Sequence, residues 1–316
     1  YRIPTAPIVR TVEESKLTAY ALREHKAVID DDQIAFRRKK QGELRGQFKA
    51  LMAEDPITCF LTSGNKFFNG LKMMTLMEEA RKELESNPPI ENTSEMEVWE
   101  RPQPKHVYAA GADVAEGGGG DYSVLAIICV TCRKTALRYQ AHCGTDYFHR
   151  FCHRKGIEYN NALLAPENNA LGMAIIQGLR ESGYPNLFRE DRNTRLTDLN
   201  LPKEHLKFGW RTTGQNKPII MDNLRIALEG DSTEDETCFR PEFTVLDTQF
   251  LNQTLEISEE GGKIEAVAGH HDDIVMAYAI AYQMYRRCQS RGLNLNSWFV
   301  GEKRESASDR EEERPD

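Results

Sequence analysis

Apolar and polar positions change rhythm near residue 105 of this chain. Before that point the apolar side chains recur at helical spacing and are diluted by charge. The stretch 30–51 opens on Asp30, Asp31 and Asp32 and carries Arg37, Arg38, Lys39 and Lys40 further along, an order that agrees with the helix dipole. Ile34, Leu44, Phe48 and Leu51 give it one apolar stripe. Gly64 and Gly70 then interrupt an apolar patch (Phe60, Leu61, Phe67, Phe68, Leu71), and a second charged helix is predicted over 74–84, ending before Ser86-Asn87-Pro88-Pro89. No periodic core strand is expected here. Residues 1–104 read as a mainly helical linking or docking segment, and the start at Tyr1 reads as a fragment cut from a longer chain.

From His106 the apolar residues condense into short runs. Strands are predicted over 106–113, 122–131 and 137–142, the last two joined by the turn around Cys132-Arg133-Lys134, which makes a meander. A helix over 146–155 leads to the buried run 162–165, closed by Glu167. Asn168-Asn169 then caps an amphipathic helix with Leu171, Ile175 and Leu179 at i, i+4 and i+8, ending at Gly183. A short strand near 208–210, a helix over 218–228, a hairpin-like region over 243–267 and a final helix over 272–287 complete the reading. The order β-β-β-α-β-α predicts an α/β domain over 105–290. The charged remainder, 291–316, reads as a disordered tail or a partner-binding arm.

Charge appears where such a pattern normally avoids it. Asp113 ends the first strand, Glu167 ends the fourth, and Asp272-Asp273 stand at the mouth of the last, apolar helix. Each has an ordinary reading: a turn former before a loop for Asp113, a helix cap for Glu167, a cap for one of the two aspartates. A second adjacent aspartate calls for a different explanation, because two acids at a buried helix mouth repel unless a cation lies near them. A hard divalent cation is the natural partner for several converging carboxylates. His270 and His271 could ligate too, but read better as hydrogen-bonded spacers. The run Gly117 to Gly120 is no phosphate loop, since it lacks the Gly-Lys-Ser/Thr ending and precedes a strand.

Composition narrows the class only in part. A chain of 316 residues with 40% hydrophobic content can hold one large domain and an appendage. No run of about 18 apolar residues and no basic-then-apolar N-terminus is present, so neither a membrane span nor a secretory signal is expected and a cytoplasmic location is the default. The net charge of −8 argues against nucleic-acid binding by bulk charge, yet a metal-dependent nuclease concentrates carboxylates at its centre and needs only a basic rim. The seven cysteines suit reduced thiols. Cys129-x-x-Cys132 begins like a zinc knuckle, but Cys143 and Cys152-His153 make a poor second pair, so free core thiols and no structural zinc are expected.

Taken together, an acid on the first strand, another after the fourth and Asp-Asp on the last helix resemble the ribonuclease H-like nucleases. The closer resemblance is to the C-terminal nuclease domain of phage large terminase subunits. It is carried by Gly111-Ala112-Asp113 with Gly119-Gly120-Asp121-Tyr122-Ser123, by Glu167, by Lys217 heading a helix after Trp210-Arg211-Thr212-Thr213, and by Gly269-His270-His271-Asp272-Asp273 running into Ala277-Tyr278-Ala279. Upstream, Gln33 to Arg38 and Cys59 to Gly64 with Phe67-Phe68 look like the family's segment between motor and nuclease. The resemblance covers about residues 30 to 287.

The resemblance implies a ribonuclease H-like mixed central sheet flanked by helices, and an endonuclease that cuts concatemeric viral or prophage DNA during packaging in the host cytoplasm. It implies two Mg²⁺ or Mn²⁺ ions, with Asp113 bridging both, Glu167 holding one, and Asp273 with Asp272 holding the other. Lys217 and Arg211 become candidates for contacts with the phosphates of double-stranded DNA, and the Arg133-Lys134 turn a weaker one. A portal protein and a small terminase subunit are the implied partners. No Gly-x4-Gly-Lys-Ser/Thr occurs, so the family's ATPase motor is absent from this sequence, and many members carry Asp where Glu167 stands. An integrase-, transposase- or resolvase-like enzyme of the same fold and a non-catalytic portal-docking module are the alternatives.

Overall fold

Thr11 opens the first helix, α1 (Val12–His25), with a capping box: its Oγ1 accepts from Glu14 N at 3.2 Å, and Glu14 Oε2 accepts from Thr11 N at 2.7 Å. The computed structural model describes residues 2–4, 6–44, 48, 52, 54, 65–115, 122–190, 207–230 and 239–290. The glycine-rich loop 116–121, the segment 59–64, Leu51 and the tail 291–316 lie outside the described residues, as does Cys238, one of the seven cysteines. Two compact units emerge, Tyr1–Gly64 and Asn65–Asp316.

In the first unit α2 (Asp31–Leu44) follows α1 with Asp31 and Asp32 in its first turn. Of the predicted stripe, Ile34 and Phe48 are buried and Leu44 is half-buried. Charge supplements this thin apolar contact. Arg38 donates to both Glu14 oxygens, at 2.7 and 2.8 Å, while Arg37 reaches Glu54 at 2.6 Å and Glu13 at 2.8 Å. The Arg38 guanidinium, more than the Thr11 backbone, holds the buried Glu14 carboxyl down to about 2.

The second unit begins with α3 (Gly70–Ser86), capped by Asn69 Oδ1, which accepts from Leu71 N and Lys72 N at 3.1 Å each. Met73, Leu76, Met77 and Ala80 bury one face of this helix in the core. Two strands follow where none was expected, β1 (Glu91–Asn92) and β2 (Met96–Val98). They are too short to show a period of two in sequence and are held as strands by pairing onto a neighbour.

The main elements are β3 (Tyr108–Asp113), β4 (Ser123–Cys129), β5 (Lys134–Ala141), α4 (Thr145–Glu158), β6 (Leu163–Pro166) and α5 (Gly172–Glu181). The small pair β7 (Arg189–Glu190) and β8 (Lys207–Phe208) comes next, then α6 (Lys217–Glu229), α7 (Thr248–Thr254), the hairpin β9 (Ile257–Glu260) and β10 (Lys263–Ala266), and α8 (Asp273–Ser290). The sheet order is β1-β2-β5-β4-β3-β6, antiparallel throughout except for the parallel pair β3–β6. A three-stranded meander, a crossover helix and a parallel fourth strand beside the first form a ribonuclease H-like mixed sheet with helices on both faces. The region 243–267 differs from the hairpin predicted for it. Asp247 Oδ1 accepts from Gln249 N and Phe250 N at 3.0 Å each, and this cap starts α7 before the hairpin begins.

β4 is buried on both faces, its alternate residues entering two cores. Tyr108, Ala110 and Ala112 of β3 face α4 and α5, while Ala109 faces α8. Gly111 shares the face of Ala109, and a Cβ there would lie 2.3 Å from both Ala277 O and Ala281 N of α8. The missing side chain lets α8 lie directly on β3. One ionic group is buried in the sheet: Arg138, 2% exposed, donates from Nε to Asp247 at 2.8 Å and from Nη2 to Glu97 at 2.9 Å, and Tyr278 OH donates to Asp247 at 3.2 Å. No helix among the described residues is long and apolar enough to cross a membrane.

Candidate active site

Parallel pairing brings the first two acids together. β3 and β6 are in register through Ala112 and Pro166, so the next residue on each strand, Asp113 and Glu167, leaves the sheet beside the other. Glu167 N donates to Ala112 O at 2.7 Å, and the two carboxyl groups are close enough to share a hydrogen bond. Asp113 is 9% exposed, and burial, followed by the Glu167 carboxylate, pushes its pKa well above the ordinary carboxylate range. Asn169 steadies the pair. Its Nδ2 donates to Glu167 Oε2 at 3.4 Å and to Val114 O at 3.0 Å, while its Oδ1 accepts from Gly172 N at 2.7 Å.

The docking of α8 brings in the third station. Asp113 shares the β3 face on which Gly111 admits Ala277, and Asp273 begins the same helix one turn earlier. Asp273 is 8% exposed, and its Oδ2 accepts from Tyr122 N at 3.1 Å. Asp272 precedes the helix, its carbonyl accepting from Met276 N at 2.8 Å, and its half-buried side chain turns to Lys217 Nζ at 2.9 Å. Both aspartates lie close enough to raise the Asp113 pKa further, Asp273 more than Asp272. His270 Nδ1 is 2.9 Å from Glu256 Oε2, whereas His271 Nδ1 lies 4.0 Å from Asp273 Oδ2.

The basic candidates enter by a different route. Trp210 bridges to Glu167: its N donates to Pro166 O at 2.8 Å and its O accepts from Asn168 N at 2.6 Å. Arg211, exposed, therefore follows directly on a residue anchored beside Glu167. Asn216 Nδ2 donates to Arg211 O at 2.7 Å and Asn216 Oδ1 accepts from Thr213 N at 2.7 Å, closing the turn that delivers Lys217 at the head of α6. Tyr122 was legible in sequence as a strand residue and as part of the Gly119 to Ser123 motif, with no role assigned to it. Its ring stacks on His142 at 3.8 Å and meets the edge of His271 at 6.2 Å, forming an aromatic rim beside Asp273. For Asn169 the signal available in sequence was its place two residues after Glu167, whereas Tyr122 meets Asp273 across 151 residues, which no local pattern records.

The donors at this end of the sheet are hard carboxylate oxygens, the set that suits Mg²⁺ or Mn²⁺ and suits soft cations poorly. Their ligand atoms are not drawn into one tight knot. Among the described residues, the group of ligand-type side chains whose atoms all lie within 4.8 Å of one another is at the other end of β3. Repulsion between like charges and the pull of Lys217 on Asp272 account for the looser arrangement.

No protein-family model matches this sequence. Two relatives are each 24% identical over 229 residues: the large terminase subunits of Thermus phage G20c and of Thermus virus P23-45. The match takes in 72% of this chain and 39% of each relative, so the chain corresponds to about two fifths of their length. Among solved structures, the large terminase nuclease of thermophilic phage G20c with bound magnesium is 19% identical, with a TM-score of 0.46 over 62% of this chain and 90% of that one. The Thermus phage P74-26 large terminase nuclease domain is 19% identical, with a TM-score of 0.43 over 63% of this chain and 90% of that one. In sequence, then, the chain is similar to large terminase subunits, the family whose nuclease domain its order of motifs resembles.

Proposed function

We propose that this chain is the nuclease part of a phage or prophage DNA-packaging enzyme, a divalent-metal-dependent endodeoxyribonuclease that cuts concatemeric double-stranded DNA with little sequence preference. One observation carries the reading: Asp113 and Glu167 emerge side by side from adjacent parallel strands, under a helix that begins with Asp273. Sequence similarity to large terminase subunits supports it. Phosphodiester hydrolysis needs an activated water and a neutralised leaving 3′-oxygen, and two Mg²⁺ or Mn²⁺ ions about 4 Å apart would supply both.

Asp113 would ligate both ions, Glu167 one of them, and Asp273 with Asp272 the other. The long Glu167 side chain is oriented by Asn169 and Asp273 by the Tyr122 amide, so neither has to be ordered when DNA arrives. Lys217 and Arg211 would hold the backbone phosphates, which carry no sequence information. Portal protein and small terminase subunit are the proposed partners, in the host cytoplasm. Translocation is not proposed for this chain, whose sequence contains no phosphate-binding Gly-x4-Gly-Lys-Ser/Thr.

Incubation of supercoiled plasmid with the protein and Mg²⁺, Mn²⁺ or chelator tests the reading. Nicked and linear products are expected with either cation, and none with chelator or with Asp113→Asn. Cleavage that ignores the chelator would remove the metal-dependent mechanism. DNA joined through 3′-hydroxyls in place of hydrolysed ends would indicate strand transfer.

A further inference from the structure

At the opposite end of β3 from Asp113, four side chains that the nuclease reading does not use converge. Cys129 ends β4, Cys132 lies in the turn to β5, His106 precedes β3, and Glu100 follows β2. Tyr108 pairs with Cys129 across the ladder, which puts this cluster ~17 Å from Asp113 at the usual strand rise. Their ligand atoms all lie within 4.8 Å of one another. His106 Nδ1 is 3.6 Å from Cys129 Sγ, 3.4 Å from Cys132 Sγ and 3.5 Å from Glu100 Oε1.

Those separations can be compared with a coordination shell. Zinc bonds of about 2.0 Å to oxygen or nitrogen and about 2.3 Å to sulfur, arranged tetrahedrally, put neighbouring donors about 3.3–3.8 Å apart. The three measured edges fall inside that interval. Hydrogen bonding alone gives a weaker account, because a thiol near a histidine and a carboxylate is satisfied by one partner, whereas here two sulfurs and a carboxylate oxygen surround one ring nitrogen.

The surroundings agree with a built site. Cys132 N donates to Cys129 Sγ at 3.3 Å, so the turn aims a backbone amide at the buried sulfur, and Arg133 takes the left-handed conformation (φ 56°) that lets the turn fold back. Tyr108 OH donates to Glu100 Oε1 at 2.8 Å, and Asn160 Nδ2 donates to His106 O at 2.9 Å, fixing the two upstream ligands. Two thiolates and a carboxylate around Zn²⁺ leave one negative charge, and Lys134 Nζ, 3.1 Å from Glu100 Oε2, supplies the opposite sign. Cys132 is exposed, which gives an ion a way in.

We propose that Glu100, His106, Cys129 and Cys132 form a structural site for Zn²⁺ or another thiophilic divalent cation, clasping the entry to β3 onto the β4–β5 turn. This replaces the expectation of free thiols. The knuckle's second pair of ligands is supplied from upstream, by Glu100 and His106, while Cys152 is buried among the apolar residues between the sheet and α4.

Zinc content of the reduced full chain tests this without reference to DNA cleavage. Wild type and Asp113→Asn, the latter disabling the acidic centre, should both carry about one zinc per chain. Cys132→Ser, at an exposed position, and His106→Ala should both fall to background, while Cys143→Ser keeps the metal. Replacement by Co²⁺ should give thiolate-to-metal absorption and the visible bands of tetrahedral cobalt, lost in Cys132→Ser. Reduced protein that takes up neither ion overturns the proposal. So does zinc that survives both Cys132→Ser and His106→Ala, or zinc that disappears with Asp113→Asn.

Discussion

Lys217 Nζ lies 2.9 Å from Asp272 Oδ2, and this contact gives two adjacent aspartates different surroundings. Asp273 stays at the buried helix mouth with the Tyr122 amide, while Asp272 answers to a cation on another helix. Replacing Lys217 by Ala is expected to slow cleavage of every DNA sequence by a similar factor. It should also flatten the dependence of log affinity on log salt by about one unit. Rates and filter-binding affinities on several unrelated duplexes check this, and a defect confined to one sequence would contradict backbone reading.

Asp113→Asn is expected to abolish cleavage and to leave the metal-free protein as stable as the native one or more so. The raised pKa means that the folded state binds the Asp113 proton more tightly than the unfolded chain does. In chelator the native protein should therefore gain stability as pH falls through the elevated folded pKa, until the unfolded carboxyl also protonates near 3.8. Asp113→Asn should lose that gain. Melting curves with chelator and with Mn²⁺ test both halves: Mn²⁺ should raise the native midpoint and leave that of the variant nearly unchanged.

Gly111→Ala has no room for its methyl group, which would meet backbone atoms of α8 at 2.3 Å. Backbone cannot rotate away as a side chain can, so α8 would shift and carry Asp273 from Asp113. A loss of about 2–3 kcal/mol in urea unfolding is expected, together with a fall in cleavage out of proportion to it. Unchanged cleavage in the folded variant would show that the placement of α8 is not what assembles the site.

Arg138→Met leaves the buried Asp247 and the half-buried Glu97 without their shared cation. Burial already raises the Glu97 pKa despite that arginine. Breaking such a group typically costs about 3–5 kcal/mol, and chemical denaturation should show a loss of that order. Zinc and Mn²⁺ binding by the folded variant should be unaffected, since the network touches neither site.

Glu14 makes the first unit acid-sensitive in a defined window. Its folded pKa is depressed from 4.5 to about 2, so its stabilisation is complete above the unfolded value and disappears as pH falls through the folded one. Helix content of residues 1–64 should decline between about pH 4.5 and 2. Glu14→Gln should remove that dependence and weaken the unit at neutral pH, as followed by circular dichroism.

The sequence by itself determined what depends on neighbours along the chain. Continuous apolar runs at 122–131 and 162–165 mark strands buried on both faces, and the 3.6-residue period before Gly183 marks α5, because side-chain alternation encodes local geometry directly. Acids stood out at Asp113, Glu167 and Asp272-Asp273 because charge at the end of an apolar run has few inexpensive explanations. Two features escaped for local reasons: β1 and β2 are too short to have a period, and α7 is a polar seven-residue helix started by one cap, Asp247. The tertiary structure decided which distant atoms meet. Parallel register set Asp113 beside Glu167, absence of a Cβ at Gly111 set α8 on β3, and a hairpin turn carried Cys132 to His106 and Glu100. Such contacts are set by strand register and helix docking across tens to hundreds of residues, and no period along the chain records them.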